Sequence, residues 1–261
     1  MSEKLDNLKL DRLKILLVGD PGTGKTSSIA TLGALPFVKK MWIASFDGGI
    51  ASAKATRKRL GIDAAKCDVE WDLYIEDDRT CPNAYKKFMK DFDAKVKADV
   101  DVIGLDGIGF LSKYCFWDIV ALNQLVDKRY GDNSYHLYRM LMDKMSDVVT
   151  KAVKASKIVV GTCLPDWEKD ENTGEIKVFP DVEGKATRQG LYGWFDEMYY
   201  TFCNKDKDGN QVFNLLTKPD GKYVAKTRWG GEVLKPLERR TLAELVSEIY
   251  KYYSVAPVAG S

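Results

Sequence analysis

Four short apolar runs recur along the first two thirds of the chain. They span residues 13–18, 41–46, 100–105 and 157–163, and apolar side chains dominate each of them. Runs of this length and character are typical of parallel strands that are buried on both faces. The pattern therefore predicts at least four central strands of one sheet.

Between these runs, apolar residues recur at intervals of three and four positions, which is the repeat of a helix with one buried face. One such face holds Tyr85, Phe88, Met89, Phe92 and Val96, and another holds Leu137, Leu141, Met145, Val148 and Ala152. Strands that alternate with helices in this way predict an α/β fold, with a mainly parallel sheet flanked by helices.

The pattern changes after about Pro165, where turn signals separate short β-like runs. The turn signals are Asn172-Thr173-Gly174, Asp208-Gly209 and Pro219-Asp220-Gly221, and the later runs span residues 197–204, 211–217 and 222–227. Runs separated by such turns predict an antiparallel meander that extends the sheet at its C-terminal end.

A capping box, Thr241-Leu-Ala-Glu244, predicts the start of a last helix. Its inward face would consist of Leu242, Leu245, Val246 and Ile249. We therefore expect one domain over residues 13–253, preceded by an extension over 1–12 and followed by a flexible tail over 254–261.

Composition excludes several classes of protein. The 261 residues are 45% hydrophobic, which is too apolar for a disordered chain. Lys and Arg number 40 against 38 Asp and Glu, so the net charge of +2 leaves no global basic field and any nucleic-acid contact must be local.

Five cysteines, odd in number and without a CxxC pair, argue against a disulfide framework and against a zinc site. The segment at Met1 is polar, and no apolar run approaches the length of a membrane span. We therefore expect a soluble cytoplasmic protein, with neither zinc nor a membrane among its partners.

The strongest motif is Gly19–Thr26, which matches G-x-x-x-x-G-K-[S/T] in full. It follows a predicted strand and precedes a helix-compatible run, as a phosphate-binding loop must. The backbone N–H groups of such a loop point at the phosphates, and the following helix presents its positive end. The expected ligand is ATP, held by Asp20, Pro21, Gly22, Thr23, Gly24, Lys25, Thr26 and Ser27.

Lys25 would bridge the β- and γ-phosphate oxygens, and the hydroxyl of Thr26 would bind Mg²⁺. Asp106, at the end of "VDVIGLD", is the candidate acidic partner of that magnesium. Asp47, at the end of "MWIASFD", is the candidate group for orienting or deprotonating the attacking water, because the carboxyl ends of parallel strands face one crevice. The alternative for both aspartates is a turn residue at a strand end.

Together, the loop, "WIASFDGGIASA", "DVIGLDGIGFL" and "KPDGKYVAKTRWGG" resemble segments of the RecA-like ATPases. The likeness extends to the short single-domain RecA/RadA-type proteins of phages, which act in recombination and single-strand annealing. It runs from about Leu13 to about Arg228. It implies a RecA-like core, ATP hydrolysis, and work in the host cytoplasm if the protein is phage-encoded.

In that family, a glutamate just after the second strand is the catalytic base, and Asp47 holds the matching position here. Aspartate is one methylene shorter, so the resemblance implies a slow or DNA-stimulated ATPase. The magnesium-side aspartate of the family matches Asp106, and its polar sensor falls near Thr162.

The late segment "YVAKTRW" carries two cations, Lys226 and Arg228, which would share one face of a strand with Thr227 opposite. One interpretation is a solvated strand edge with salt bridges. The resemblance implies another, in which both cations reach the γ-phosphate bound by a neighbouring subunit. The active form would then be a homo-oligomer, a ring or a filament, with ATP between subunits.

RecA-like proteins bind single-stranded DNA through loops that follow two core strands. The matching segments here are 107–117 and 165–191, in which basic residues alternate with aromatic ones. Such a surface suits a strand whose bases stack while its backbone is tracked by cations. The candidate contacts are Lys113, Tyr114, Lys185 and Arg188, although a hairpin is the alternative for part of the second segment.

Two other functions fit the phosphate loop. One is a small-molecule or nucleotide kinase, for which the connection over residues 125–139 could be a lid, although it could equally be a subunit contact or a loop over DNA. The other is an assembly protein, such as a helicase loader, that uses ATP as a conformational switch. Slow ATP hydrolysis would be consistent with that function.

Overall fold

The computed structural model describes Leu10 and residues 12–123, 134–169, 171–229 and 233–254. Most of the predicted N-terminal extension and tail lie outside these residues, as does most of the connection over 125–139. Within the described part, no helix is long and apolar enough to cross a membrane.

Ten strands and seven α-helices form within the described residues. The strands are β1 (Leu13–Gly19), β2 (Lys40–Ser45), β3 (Asp68–Leu73), β4 (Val102–Asp106), β5 (Ile158–Cys163), β6 (Pro165–Lys169), β7 (Ile176–Pro180), β8 (Glu197–Lys205), β9 (Gln211–Leu216) and β10 (Leu237–Glu238). The helices are α1 (Lys25–Thr31), α2 (Ala51–Arg59), α3 (Ala84–Lys95), α4 (Ile108–Leu122), α5 (Ser134–Ala155), α6 (Lys185–Trp194) and α7 (Leu242–Ser254).

Eight of these strands form one sheet in the order β10-β9-β8-β1-β5-β4-β2-β3. The six strands from β8 to β3 run parallel, whereas β9 and β10 are antiparallel to their neighbours. The predicted α/β fold class, a mainly parallel sheet with a C-terminal antiparallel extension, is confirmed.

Strand β1 shows why the central strands read as continuous apolar runs. Leu13, Ile15 and Leu17 pack into one core, while Leu16 and Val18 pack into the other core on the opposite face of the sheet. Since successive side chains of a strand alternate in direction, a strand covered on both faces is apolar at nearly every position.

The predicted helix faces are confirmed. Helices α3, α4 and α5 cover one face of the sheet, where Phe88 lies among the rings of Trp42, Phe46, Tyr74 and Phe92. Helices α1 and α7 cover the other face.

The capping box of α7 is also confirmed. The backbone N–H of Thr241 donates to Glu244 Oε2 at 2.6 Å, and the backbone N–H of Glu244 donates to Thr241 Oγ1 at 3.3 Å. The inward residues of the helix, Leu242 among them, are buried as expected.

One predicted strand is absent from the sheet, and one strand of the sheet was not predicted. The run over 222–227 forms no strand of the sheet, because it crosses from β7, where Tyr223 bridges Val178, to β8, where Lys226 bridges Met198. The third strand of the antiparallel extension, after β8 and β9, is β10. Strand β3 was not predicted, because an edge strand with several charged positions lacks the apolar run of a central strand.

In the segment over 165–191, the hairpin that was the alternative to a DNA-binding loop is present. The segment consists of the antiparallel hairpin β6–β7 followed by helix α6. Only Leu164 separates the hairpin from β5, so the hairpin extends directly from the carboxyl edge of the sheet.

Candidate functional site

The phosphate loop leaves β1 at Gly19 and enters α1 at Lys25. A Cβ on Gly19 would lie 2.2 Å from Thr201 Oγ1 of β8, so only glycine fits at this point. Gly24 has φ 84°, a left-handed conformation in which other residues are strained. Thr23 Oγ1 donates to the carbonyl of Asp20 at 2.8 Å, which holds the loop in its curled form.

The ammonium of Lys25 lies within this loop. It donates to the carbonyl oxygens of Gly19 at 2.6 Å and of Asp20 at 2.8 Å. Burial lowers the pKa of Lys25, and nearby carboxylates, Asp106 first among them, oppose that shift. An anionic phosphate in the loop would add to the groups that favour the charged ammonium.

Asp106 ends β4 and joins three elements. Thr26 Oγ1, at the start of α1, lies 2.9 Å from each of its carboxylate oxygens, and Thr162 Oγ1, on β5, donates to Oδ1 at 2.7 Å. Thr162 Oγ1 in turn accepts the backbone N–H of Gly107 at 2.8 Å. Burial, followed by the charge of Asp47, raises the pKa of Asp106 to about 6.

The donor set around Asp106 fits magnesium. A Cβ built on Gly49 would lie 3.2 Å from Asp47 Oδ1, 3.4 Å from Thr26 Oγ1 and 3.8 Å from Asp106 Oδ2, so three oxygen atoms converge there. Hydroxyl and carboxylate oxygens are the ligands that Mg²⁺ prefers, completed by phosphate oxygens and water. Thr26 and Asp106 would therefore hold the ion, which when bound neutralises charge on the phosphates.

Asp47 follows β2 and is exposed. Its Oδ1 accepts the backbone N–H of Gly49 at 2.9 Å, which orients the carboxylate. Together with Lys25 and Thr162 it lines a cavity of about 130 Å³, hereafter the Asp47 cavity. A carboxylate in this place faces the space beside the lysine ammonium, where a water molecule could approach a terminal phosphate.

The Asp47 cavity contains acidic residues that the sequence did not single out. Asp181, just after β7, and Glu183, just before α6, both line it, and burial raises the pKa of each. No local motif marks them, because they are brought to the site by the hairpin that separates them from β5.

Lys113 also lines the Asp47 cavity, and its ammonium lies 5.3 Å from the ring centre of Trp117. It was predicted to contact nucleic acid, which stays a prediction, and the structure places it on the wall of the cavity that Lys25 also lines. Tyr114 was also predicted to contact nucleic acid, and its burial contradicts this. Its ring is buried in the core and its hydroxyl donates to the carbonyl of Phe46 at 3.3 Å.

The two remaining nucleic-acid candidates lie on α6. Lys185 is exposed in its first turn. The guanidinium of Arg188 pairs with Asp166, at 2.8 Å, and with Glu168 of β6, and it lies over the ring of Phe179. Because carboxylates bind both of its terminal amino groups, Arg188 links the helix to the hairpin and is not the free cation that was expected.

Lys226 and Arg228 lie far from the phosphate loop of their own chain. Arg228 pairs with Asp196 at 2.9 Å, and Asp196 pairs with Lys14 at 3.3 Å, near the amino end of β1. The loop begins at the opposite end of that strand, five residues or roughly 16 Å away. Arg228 therefore cannot reach the phosphates held by its own loop, and its side chain is 53% exposed.

The expected role of Lys226 as a second cation for a neighbour's phosphate conflicts with its contacts. Its Nζ donates to the carbonyls of Tyr192 at 2.6 Å and Phe195 at 2.9 Å, at the C-terminal end of α6. A cation there satisfies carbonyls that have no partner within the helix. Burial, and then the charge of Arg228, lower the pKa of Lys226.

No curated protein matches the sequence. One solved structure with a similar fold is described as a prototypical ATPase from the type III secretion system of pathogenic bacteria. It shares 9% identity, with a TM-score of 0.46 over 75% of this chain and 52% of the other. The chain thus spans about half the length of that protein.

The model of one protein family, described as an AAA domain, matches residues 11–229. The matched region includes the phosphate loop, both aspartates at the strand ends and Thr162. Because it covers most of the sequence, this chain belongs to the AAA domain family of P-loop ATPases.

Proposed function

We propose that this protein binds and hydrolyses MgATP between subunits of a homo-oligomer, and that ATP controls its binding to single-stranded DNA in recombination or strand annealing. The observation that supports ATP hydrolysis is the set of hydrogen bonds at Asp106. Its carboxylate accepts hydrogen bonds from both Thr26 of the loop and Thr162 of β5. The work would take place in the cytoplasm, that of the host if the protein is phage-encoded.

Asp47 is the proposed group that orients or deprotonates the attacking water. In support, it lines the same cavity as Lys25, and the backbone N–H of Gly49 donates to Oδ1, while no described residue donates a hydrogen bond to Oδ2. General-base catalysis of this kind contributes about 10²–10⁴-fold to a rate.

Arg228 is the proposed residue of a neighbouring subunit that completes the site. Two observations support this role: the exposed guanidinium, and its position at the end of the sheet opposite to its own loop. Lys226 is left out of the proposal, because its ammonium already caps α6.

The proposed DNA surface centres on the hairpin and the segment beside it. Trp167 of β6 is 46% exposed, and the ammonium of Lys222 lies 4.8 Å from its ring centre and 5.0 Å from that of Tyr223. An exposed aromatic ring flanked by a cation suits a stacked base with its phosphate.

Contacts link this surface to the nucleotide site. The ring of Tyr223 stacks on Tyr200, 4.1 Å between centres, and the hydroxyl of Tyr200 lies 3.5 Å from Asp20 Oδ2 in the phosphate loop. The hairpin also starts three residues after Thr162, whose hydroxyl donates a hydrogen bond to Asp106. A change in the conformation of the phosphate loop could therefore reach the proposed DNA surface through these side-chain contacts.

A direct test combines ATP turnover with DNA binding. Turnover should rise when single-stranded DNA is added, and a gel shift at a stated salt concentration should be stronger with an ATP analogue than with ADP. Trp167→Ala should weaken the shift severalfold or more. Trp71→Ala, a tryptophan of similar exposure (53%) on edge strand β3, is the matched control and should bind DNA like the wild type.

The outcomes separate the alternatives that share the loop. ATP turnover that ignores DNA, together with no shift in either nucleotide state, would overturn the DNA part. Phosphate transfer to a nucleoside or nucleotide acceptor would indicate a kinase. Turnover that depends on a protein partner but not on DNA would indicate an assembly protein.

A further inference from the structure

A second cavity of about 360 Å³ adjoins the phosphate loop, hereafter the Phe213 cavity. It shares no lining residue with the Asp47 cavity. Its walls come from the loop and α1, from α2, from β9 and from the segment after β10; the residues that matter are Gly24, Ser27, Arg59, Phe213, Arg239 and Arg240. Small-molecule sites have volumes of about 300–1,000 Å³, so the space suits a ligand.

Phe213 lines this cavity. Its ring packs directly on the phosphate loop, because a Cβ added to Gly24 would lie 3.0 Å and 3.2 Å from two ring carbons. The same ring is 43% exposed, although its neighbours Asn214 and Leu215 on β9 are buried. An aromatic ring held against a phosphate loop with its other surface open has room for a planar ligand.

The rest of the cavity wall is cationic and hydroxyl-bearing. Arg59 and Arg239 are exposed, and within the described residues neither has a carboxylate partner. Arg240 is held by Glu238, with guanidinium-to-carboxylate distances of 2.6 and 3.0 Å. Ser27 lies in the first turn of α1, two residues after the lysine that would hold the phosphates.

We propose that the Phe213 cavity binds the base and ribose of the nucleoside triphosphate, with the base stacked on Phe213. This rests on the proposed ATP binding at Lys25, and it adds the residues that recognise the nucleoside. The chain of phosphates would lie along the loop, with its terminal phosphate beside the Asp47 cavity and its nucleoside end over Gly24 and Ser27. Since a purine offers the larger ring for stacking, ATP is bound more tightly than UTP.

The test compares ligands that share the triphosphate and differ in the base. Affinities of wild type, Phe213→Ala and Phe213→Trp for MgATP, MgUTP and magnesium tripolyphosphate are measured by titration calorimetry. Phe213→Ala should weaken ATP about tenfold, since stacking on an aromatic ring contributes about 1–3 kcal/mol per base. Its affinity for tripolyphosphate should change less than about twofold, and its preference for ATP over UTP should disappear. Phe213→Trp should retain both.

A purely structural role for Phe213 predicts a different result, in which Phe213→Ala weakens all three ligands equally because the loop has lost its support. That result, or an unchanged affinity for ATP, would overturn the proposal. Phe213→Leu keeps most of the packing volume without the aromatic ring, and it serves if the alanine variant unfolds. Tyr252→Ala, which removes an exposed ring from α7, is the control and should match the wild type.

Failure of the underlying function would look different again. A wild-type protein that binds neither ATP nor tripolyphosphate would remove the proposed ATP site itself, and with it the nucleoside site. A wild type that binds ATP in a Lys25-dependent manner, but whose affinity is the same in all Phe213 variants, would remove only the nucleoside site.

Discussion

The hydroxyl of Thr26 lies 2.9 Å from each carboxylate oxygen of Asp106, and this contact joins the start of α1 to the end of β4. Asp106 also accepts from Thr162, so three elements that are distant in sequence share one buried carboxylate. A buried ionised group with a raised pKa reduces stability unless something compensates its charge. The site is therefore under electrostatic strain that a bound cation would relieve.

Replacing Asp106 by asparagine should stabilise the ligand-free protein while abolishing turnover. The pKa of Asp106 is about 6 in the folded protein, above the ordinary value of 3.8. The folded state thus holds the proton more tightly than the unfolded state, and stability contributed by protonation is lost as pH rises from about 4 through about 6. At pH 7, Asp106→Asn should raise the free energy of unfolding by on the order of 1–3 kcal/mol.

Denaturant unfolding without nucleotide or magnesium measures this effect. Asp101→Asn is the control with the opposite sign. Burial opposes ionisation at Asp101, but its ion pair with Lys157 and the backbone N–H groups of Lys39 and Lys40 hold its pKa below the usual value. That variant should lose stability, and a gain in both variants, or in neither, would contradict the assignment.

The same pKa predicts the pH dependence of catalysis. As pH falls through about 6, Asp106 becomes protonated and can no longer bind Mg²⁺, so kcat/KM for ATP should fall. A higher concentration of free magnesium should move the inflection to lower pH, because the metal competes with the proton. Steady-state rates from pH 5 to 8 at two magnesium concentrations test this, and a profile that is flat in that range would exclude it.

Asp47→Asn should lower kcat by about 100-fold or more, because the amide keeps the size and the hydrogen bond from Gly49 but cannot accept a proton. The affinity for ATP should change little. Asp47→Glu should keep or raise the rate, because the carboxylate is retained and one more methylene lets it reach further into the cavity. If Asp47→Asn is fully active, Glu183 on the same cavity becomes the candidate base, and Glu183→Gln tests it.

We expect a structural role for Lys226 and a catalytic role for Arg228. Lys226→Met removes two hydrogen bonds from the end of α6 and should cost about 1–3 kcal/mol in the free energy of unfolding. Arg228→Ala should retain ATP binding and lose turnover. Mixing it with Lys25→Ala should restore part of that turnover, since each subunit would supply what the other lacks.

The rescue experiment needs one further observation, the mass of each variant in solution with an ATP analogue. Two variants that still assemble with each other but show no rescue would refute a site shared between subunits. Arg228 would then be a surface partner of Asp196 only.

How much could be predicted from the sequence follows from the range of each interaction. The apolar run at Leu13, the loop over Gly19–Thr26 and the capping box at Thr241 depend on residues close together in the chain, and all three were visible as patterns. The burial of Tyr114 could not be predicted in this way. Neighbouring elements cover α4, and the sequence alone does not distinguish an aromatic residue that faces the core from one that faces solvent.

The sequence by itself determined the strand and helix periodicity and the phosphate loop, because each depends on local spacing and on the backbone freedom of glycine. Tertiary structure alone decided which side chains meet at the loop. Asp181 and Glu183 enter the Asp47 cavity through the hairpin, and Phe213 reaches Gly24 because β9 pairs with β8, which lies beside β1. Such meetings depend on strand order and register, which bring together residues far apart in the chain and which no local pattern specifies.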